Sequence, residues 1–249
     1  MSKLKLALFS DLHIEFAPWE IPKVDCDIIV LAGDISNQLA GVYWAINESD
    51  RLQKPVIYIM GNHDAYHDDF TWYYKAKEAC KNTDVHVLEK DIFEINGYRI
   101  LGTTLWTDYN LYGSADKKAK AIYEAKSFMA DHRYIWYQDH IFTPEDAIVE
   151  HEKSLQWIKD NLTGTKDIMI THHMPTDYGS HPAFKGDNLT PAFCSNLEYL
   201  ILERQPLMWG SGHSHWSHQK MIGNTLSVSN ARGYPKEKTG FDPELVIEL

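Results

Sequence analysis

Residues 55–64 read PVIYIMGNHD. Pro55 opens the run, Val56 to Met60 are all apolar, and Gly61-Asn62-His63-Asp64 closes it. A short apolar run that stops in turn residues fits a strand buried on both faces, as in a parallel sheet. The ending carries the information. Asn and Asp start turns, but together with His they are also oxygen and nitrogen donors for a metal ion.

The same pattern recurs along the chain. The run LALF, residues 6–9, stops in Ser10-Asp11-Leu12-His13. DIIVLAGD, residues 27–34, ends in Gly33-Asp34. DIMITHHMP, residues 167–175, delivers His172 and His173, and LMWGSGHSH, residues 207–215, delivers His213 and His215. In an open α/β sheet the carboxyl edge of the strands is where ligands bind. Asp11, Asp34 and Asn62 offer oxygen, the histidines offer imidazole nitrogen, and no thiolate takes part. Mixed N/O sets suit manganese, iron, cobalt, nickel or zinc better than calcium or an iron–sulfur cluster. The single-residue gaps in Asp11-x-His13 and His213-x-His215 fit extended chain or a turn, where alternate side chains share a face. Gly33, Gly61, Gly210 and Gly212 would allow close backbone approach or positive φ. The set exceeds what one tetrahedral ion requires and suits two ions that share a carboxylate, an arrangement able to activate water and clamp the oxygens of a phosphoryl displacement. Each block alone has an ordinary reading as a capped turn; the five together, in order, do not.

This constellation resembles the ordered signature of calcineurin-like metallophosphoesterases, with every block present between residues 11 and 215. The resemblance implies a four-layer α/β/β/α sandwich of two mixed sheets and a dinuclear centre. Carried over residue by residue, Asp11, His13 and His215 would hold one ion, Asn62, His172 and His213 the other, and Asp34 would bridge. His63 would donate a hydrogen bond or proton toward the phosphate, oriented by Asp64. Of the two neighbouring histidines, His172 is preferred as ligand, which leaves His173 toward substrate or solvent. The implied activity is hydrolysis of a phosphomonoester or phosphodiester by a metal-bridging hydroxide with no phosphoenzyme. Two divalent transition-metal ions are implied, manganese first, with iron, zinc, nickel or cobalt compatible. The rivals are a non-catalytic metal-binding scaffold of the same fold, a nuclease of the same superfamily, and a mononuclear amide or ester hydrolase.

Composition narrows the partners. A formal charge of −11 argues against long nucleic acid, which calls for a basic face, and leaves a small phosphorylated substrate. Cys26, Cys80 and Cys194 are scattered and odd in number, as buried thiols in a reducing compartment would be. With no secretory signal and no run long enough to span a bilayer, the expected location is the cytoplasm, away from membrane.

Strands are expected at Leu4–Phe9, Asp27–Leu31, Val56–Met60, Arg99–Gly102, Ile168–Thr171, Leu207–Trp209, Thr225–Val228 and Glu244–Ile247. Ser36 would cap a helix presenting Leu39, Val42, Tyr43 and Ile46 on one face. Thr143-Pro144-Glu145-Asp146 starts another that runs to about Gly164, and Thr190-Pro191 a third that carries Phe193, Leu197, Leu200 and Ile201. The chain reads as one domain, 1–249, with a helical insertion or cap at about 106–160 whose aromatic residues serve packing. Beyond the ligand blocks, Asn230 and Arg232 in SNARGYP are candidate substrate contacts. His67 and His181, which closely follow ligand blocks, stand apart from the remaining histidines.

Overall fold

The computed structural model describes residues 3–249. The first part of the chain contributes β1 (Lys5–Phe9), β2 (Ile28–Ala32), α1 (Leu39–Leu52), β3 (Val56–Ile59), α2 (Trp72–Ala79) and β4 (Val85–Leu88). Then come β5 (Asp91–Ile95), β6 (Tyr98–Thr103), α3 (Ala115–Phe128), α4 (Asp131–Tyr134), β7 (Trp136–Tyr137), β8 (His140–Ile141) and α5 (Pro144–Asn161). The remainder is β9 (Asp167–Thr171), α6 (Glu198–Arg204), β10 (Met208–Ser211), β11 (His218–Ile222), β12 (Thr225–Ser229) and β13 (Val246–Glu248). One sheet has the order β13-β1-β2-β3-β4, parallel except for β13. The other has the order β11-β12-β10-β9-β6-β5, with antiparallel strands only at its two edges.

Period-two alternation sorts the apolar residues into layers. Leu6, Leu8, Val30, Ile57 and Ile59 point between the sheets and meet Ile100, Ile168, Ile170, Met208 and Val228. Ala7, Phe9, Leu31 and Tyr58 turn the other way, onto Val42 and Ala45 of α1 and Trp72 and Ala76 of α2. On the far side Leu101, Met169 and Trp209 pack against Ile158, Leu162, Leu200 and Ile201. The result is a mixed α/β sandwich, two large sheets face to face with helices outside.

Three helix expectations change. The first helix begins at Leu39 behind Gln38, whose backbone N–H donates to the Asp64 carbonyl at 2.9 Å; Ser36 lies too early to cap it, and Tyr43 faces solvent at 55% exposure. The stretch after Thr190 makes one 3₁₀ turn, Thr190–Ala192, before α6. Between them residues 193–197 run beside residues 174–175 instead of coiling, because Met174 N–H bonds to the Phe193 carbonyl, Ser195 N–H to Met174 and Leu197 N–H to Pro175. The long excursion divides. Its helix α5 belongs to the outer layer of the second sheet through Ile158, while α3, α4 and the β7–β8 hairpin lie over the strand ends with Ala121, Ala125, Ile135 and Phe142 buried.

The start of α5 does follow the sequence. The Thr143 side chain accepts from Asp146 N–H at 3.2 Å, and Thr143 N–H donates to the Asp146 carboxylate at 2.9 Å, a capping box with Pro144 in the first turn. Replacing an N-cap threonine by alanine costs about 1 kcal/mol. Thr143→Ala should therefore lower the urea midpoint by about 0.3–1 M with an unchanged m-value; an unchanged midpoint would show that the box contributes nothing.

Candidate metal centre

The carboxyl ends of β1, β2, β3, β9 and β10 converge where the two sheets meet. Asp11, His13, Asp34, His213 and His215 all adopt left-handed backbone conformations, with φ between 44° and 70°. Such angles in non-glycine residues cost energy and cluster at functional sites. Here they turn each strand sharply, so that consecutive side chains double back toward one point. Two glycines make room for the turns. A Cβ on Gly61 would stand 2.1 Å from Asp34 Oδ1, and one on Gly33 would stand 2.3 Å from His172 Nδ1.

Two clusters result. Asp11, His13 and His215 form one, and Asp34, His172 and His213 the other, each with ligand atoms within 4.8 Å of one another. Asn62 joins the second: its Oδ1 stands 2.9 Å from His172 Nε2. Asp34 Oδ2 lies 3.4 Å from His172 Nε2 and 3.9 Å from His13 Nε2, between the clusters.

Neighbouring groups fix the orientation of four of these candidate ligands. His172 Nδ1 bonds to the Ala32 carbonyl at 2.9 Å, so its Nε2 carries the lone pair when the ring is neutral. Asn62 Nδ2 donates to Asp131 Oδ1 at 2.8 Å and to Tyr66 Oη at 3.1 Å, so its Oδ1 must face His172. His13 Nδ1 faces Glu15 Oε1 at 3.2 Å and His215 Nδ1 faces Glu237 Oε2 at 2.7 Å. That leaves the two Nε2 atoms of His13 and His215 turned on each other at 3.1 Å. His213 Nε2 is buried with no hydrogen-bond partner among the described residues. Lone pairs aimed at lone pairs are repulsive unless a cation or a proton lies between them. The donor set, nitrogen and oxygen with the His13, His172 and His215 imidazoles each held by a second hydrogen bond, fits two transition-metal ions.

The titration behaviour agrees. Burial and the neighbouring His173 and His172 keep His213 neutral, as a ligand must be. Burial also opposes a charge on His172, yet the Asp34 carboxylate holds it up to about 9; a metal ion at this place would displace that proton. Burial opposes ionisation of Asp34 as well, and the facing imidazoles of His172 and His63 outweigh it.

The other expected residues divide. His63 lines the cavity in front of the clusters. Burial works against its charge, but Asp34 and the Glu15 side chain raise its pKa above the ordinary value. Asp64 does not orient it. The Asp64 carboxylate accepts from Gly61 N–H at 2.7 Å, Asp34 N–H at 3.0 Å and Tyr58 Oη at 2.5 Å, tying together the two loops that carry Asp34 and Asn62. His63 is held instead by Tyr234, whose hydroxyl stands 3.0 Å from Nε2, and by Glu15, 3.7 Å from Nδ1. His173 does not face substrate: it is buried against Trp106 and His213, with Nδ1 at 3.3 Å from the Thr104 carbonyl. Asn230 spends its amide on the Leu8 and Asp242 backbone, and Arg232 donates to the carbonyls of Leu12 and Ala17 at 2.8 Å. Arg232 braces the loop that carries His13, Asn230 ties β1 to the segment at Asp242, and neither lines the cavity. Glu15, Asp131, Tyr234 and Glu237 escaped the sequence reading. Glu15 had a local signal, one step beyond Asp11-x-His13, and Tyr234 lies inside SNARGYP.

The model of the calcineurin-like phosphoesterase family matches residues 4–217. The chain belongs to that family. Calcineurin-like phosphoesterases depend on two metal ions, and the paired clusters supply plausible ligands for them. The chain is similar, at 24% identity, to an uncharacterized protein of Acanthamoeba polyphaga mimivirus, over 98% of its own length and 96% of that protein's. In fold it is similar to the phosphopantetheinyl hydrolase of Mycobacterium tuberculosis, with a TM-score of 0.74 at 15% identity, covering 100% of this chain and 96% of that one. A putative 5'-nucleotidase from Staphylococcus aureus matches with a TM-score of 0.50 at 12% identity, over 93% of this chain and 49% of that one. Family membership supports a hydrolase. Among the described residues no helix is long and apolar enough to cross a membrane.

The glycine contact gives a direct test. Gly61→Ala must push Asp34 out of place, so a folded Gly61→Ala protein should bind Mn²⁺ at least about tenfold more weakly in calorimetric titration, the usual penalty for disturbing a ligand's support. Binding as tight as in the parent chain would show that Asp34 is not a ligand.

Proposed function

We propose that the chain is a dimetal phosphoesterase that hydrolyses a small organic phosphate by direct attack of water on phosphorus. One observation carries the reading: His13 Nε2 and His215 Nε2 converge to 3.1 Å, with the Asp34 carboxylate between them and His172, a set of donors that two cations would join. When bound, a pair of divalent ions supplies a water of lowered pKa and positive charge for the phosphoryl oxygens.

The chain's residues then have separate tasks. Asp11, His13 and His215 hold one ion, Asn62, His172 and His213 the other, and Asp34 is shared. Glu15, Glu237 and the Ala32 carbonyl keep three of the imidazoles in the tautomer whose Nε2 is free. Asp131 and Tyr66 do the same for the Asn62 carboxamide. His63, favoured in its protonated form by Asp34 and Glu15, donates toward the phosphoryl group or the departing oxygen. In the net reaction the ester P–O bond breaks, the oxygen of water bonds to phosphorus, and the alcohol leaves with a proton. Manganese is the proposed ion. An acidic chain with a small cavity suits a small substrate over long nucleic acid, and its proposed place of work is the cytoplasm.

Elemental analysis of purified protein, combined with hydrolysis of p-nitrophenyl phosphate and bis(p-nitrophenyl) phosphate with and without Mn²⁺, tests the proposal. Two ions per chain and metal-dependent cleavage are expected, and the ratio of the two rates assigns monoester or diester. Asp34→Asn and His213→Ala should each lower kcat by more than about a thousandfold, as loss of a central charge-stabilising group does. If folded Asp34→Asn protein turns over at near the parent rate, the two-metal mechanism is wrong. His63→Ala should lower kcat by about 10²–10⁴ without loss of bound metal, the usual contribution of a positioned proton donor; an unchanged kcat would remove His63 from the reaction.

A further inference from the structure

In front of the metal clusters lies a cavity of about 600 Å³ lined by Asp34, Asn62, His63, His213 and His215. It opens sideways into a second space of about 360 Å³, room for roughly a dozen water-sized groups. The two share His181, Phe184, Leu189, Phe193 and Ser214. The annex therefore begins one aromatic ring away from the metal ligands, since Phe193 stacks on His213 with centroids 4.6 Å apart and planes 26° apart.

The walls are apolar where a substrate would pass. Phe184, Leu189 and Phe193 form one side of the annex, and the end of α3 brings Phe128 and Met129 to the main cavity. Phe128 and Phe184 are 69% and 61% exposed. Large apolar side chains left open at the mouth of a polar cavity mark a surface that an apolar ligand covers. Charge points the same way. Among the described residues Lys238 is the single lysine or arginine that lines either space, against Asp34, Asp187 and Glu237. A second phosphate would meet no cationic cluster here, whereas an uncharged group would find a dry wall.

We propose that this annex is a subsite for the organic part of the substrate, and that the chain acts on esters of a single phosphoryl group bearing an alkyl chain or an aromatic ring. The assignment of activity rests on the phosphoesterase reading, while the subsite itself is open to a test that needs no turnover. The probe is the series of n-alkylphosphonates from methyl to hexyl, which carry the phosphoryl oxygens but no ester bond. They are titrated calorimetrically into the Mn²⁺-loaded chain.

Burial of each methylene should tighten Kd by roughly two- to fourfold until the annex is filled. Phe184→Asp, at a side chain already exposed and outside the core, should cut the hexyl-to-methyl ratio of affinities by about tenfold, and Leu189→Asp should do likewise. Tyr43→Asp, exposed on the distant α1, should leave the ratio where it was. A Kd that does not change with chain length, or a ratio indifferent to Phe184→Asp and Leu189→Asp, overturns the subsite. Chain-length-dependent binding without hydrolysis of any ester would instead keep the subsite and discard the phosphoesterase reading. Hydrolysis with a flat series would do the reverse.

Discussion

Two imidazole nitrogens that face each other at 3.1 Å, His13 Nε2 and His215 Nε2, set the terms for the rest of the molecule. Without a cation or a proton between them the contact is unfavourable, and so are the five left-handed residues that bring the candidate ligands together. Such an arrangement persists only where its surroundings over-determine it. The apolar layer between the sheets fixes β1, β9 and β10 through Leu6, Leu8, Ile168, Ile170 and Met208. Backbone hydrogen bonds then lock the loops. Asp11 accepts from His213 N–H at 2.9 Å, His13 N–H donates to Asp34, and Gly212 N–H donates to His172. Each ligand loop is hydrogen-bonded to another one, so none relaxes alone.

The carboxylates around this centre act at a distance from the reacting atoms. Glu15 stands beside both His13 and His63, which links a metal ligand to the proposed proton donor through one side chain. Its carboxyl is held down to about 2: burial opposes ionisation, and the hydrogen bonds from His13 and His63 outweigh it. Asp131 comes from α4 and reaches Asn62 across 69 residues of sequence. The α4 helix therefore orients one of the groups at the cavity floor.

The strand ends were legible because residue type, order and position agreed: Asp11, His13, Asp34, Asn62, His172, His213 and His215 each follow a buried run, and the fold brings all of them together. What surrounds them was not. Tyr234 meets His63 across 171 residues and Glu237 meets His215 across 22, pairings that no local pattern encodes. Asn230 and Arg232 were misread for a related reason. Amide and guanidinium groups suit phosphate, but here the backbone carbonyls of Leu8, Leu12 and Ala17 claim them. The strands β5 and β11 escaped because their residues are half-exposed or exposed almost throughout and mix charge with apolar groups. The helix cap at Thr143 was readable, since its chemistry is local.

The ligands are divided by the seam between the two sheets. Asp11, His13, Asp34 and Asn62 come from the sheet built on β1, and His172, His213 and His215 from the sheet built on β9 and β10. On the proposed reading, each ion has one hand in either half of the sandwich. The metal pair is then a rivet as well as a reagent: a ligand that binds only the folded chain raises its stability in proportion to the logarithm of ligand excess. A cell's supply of free divalent ions would thus set how long the protein survives as well as how fast it works.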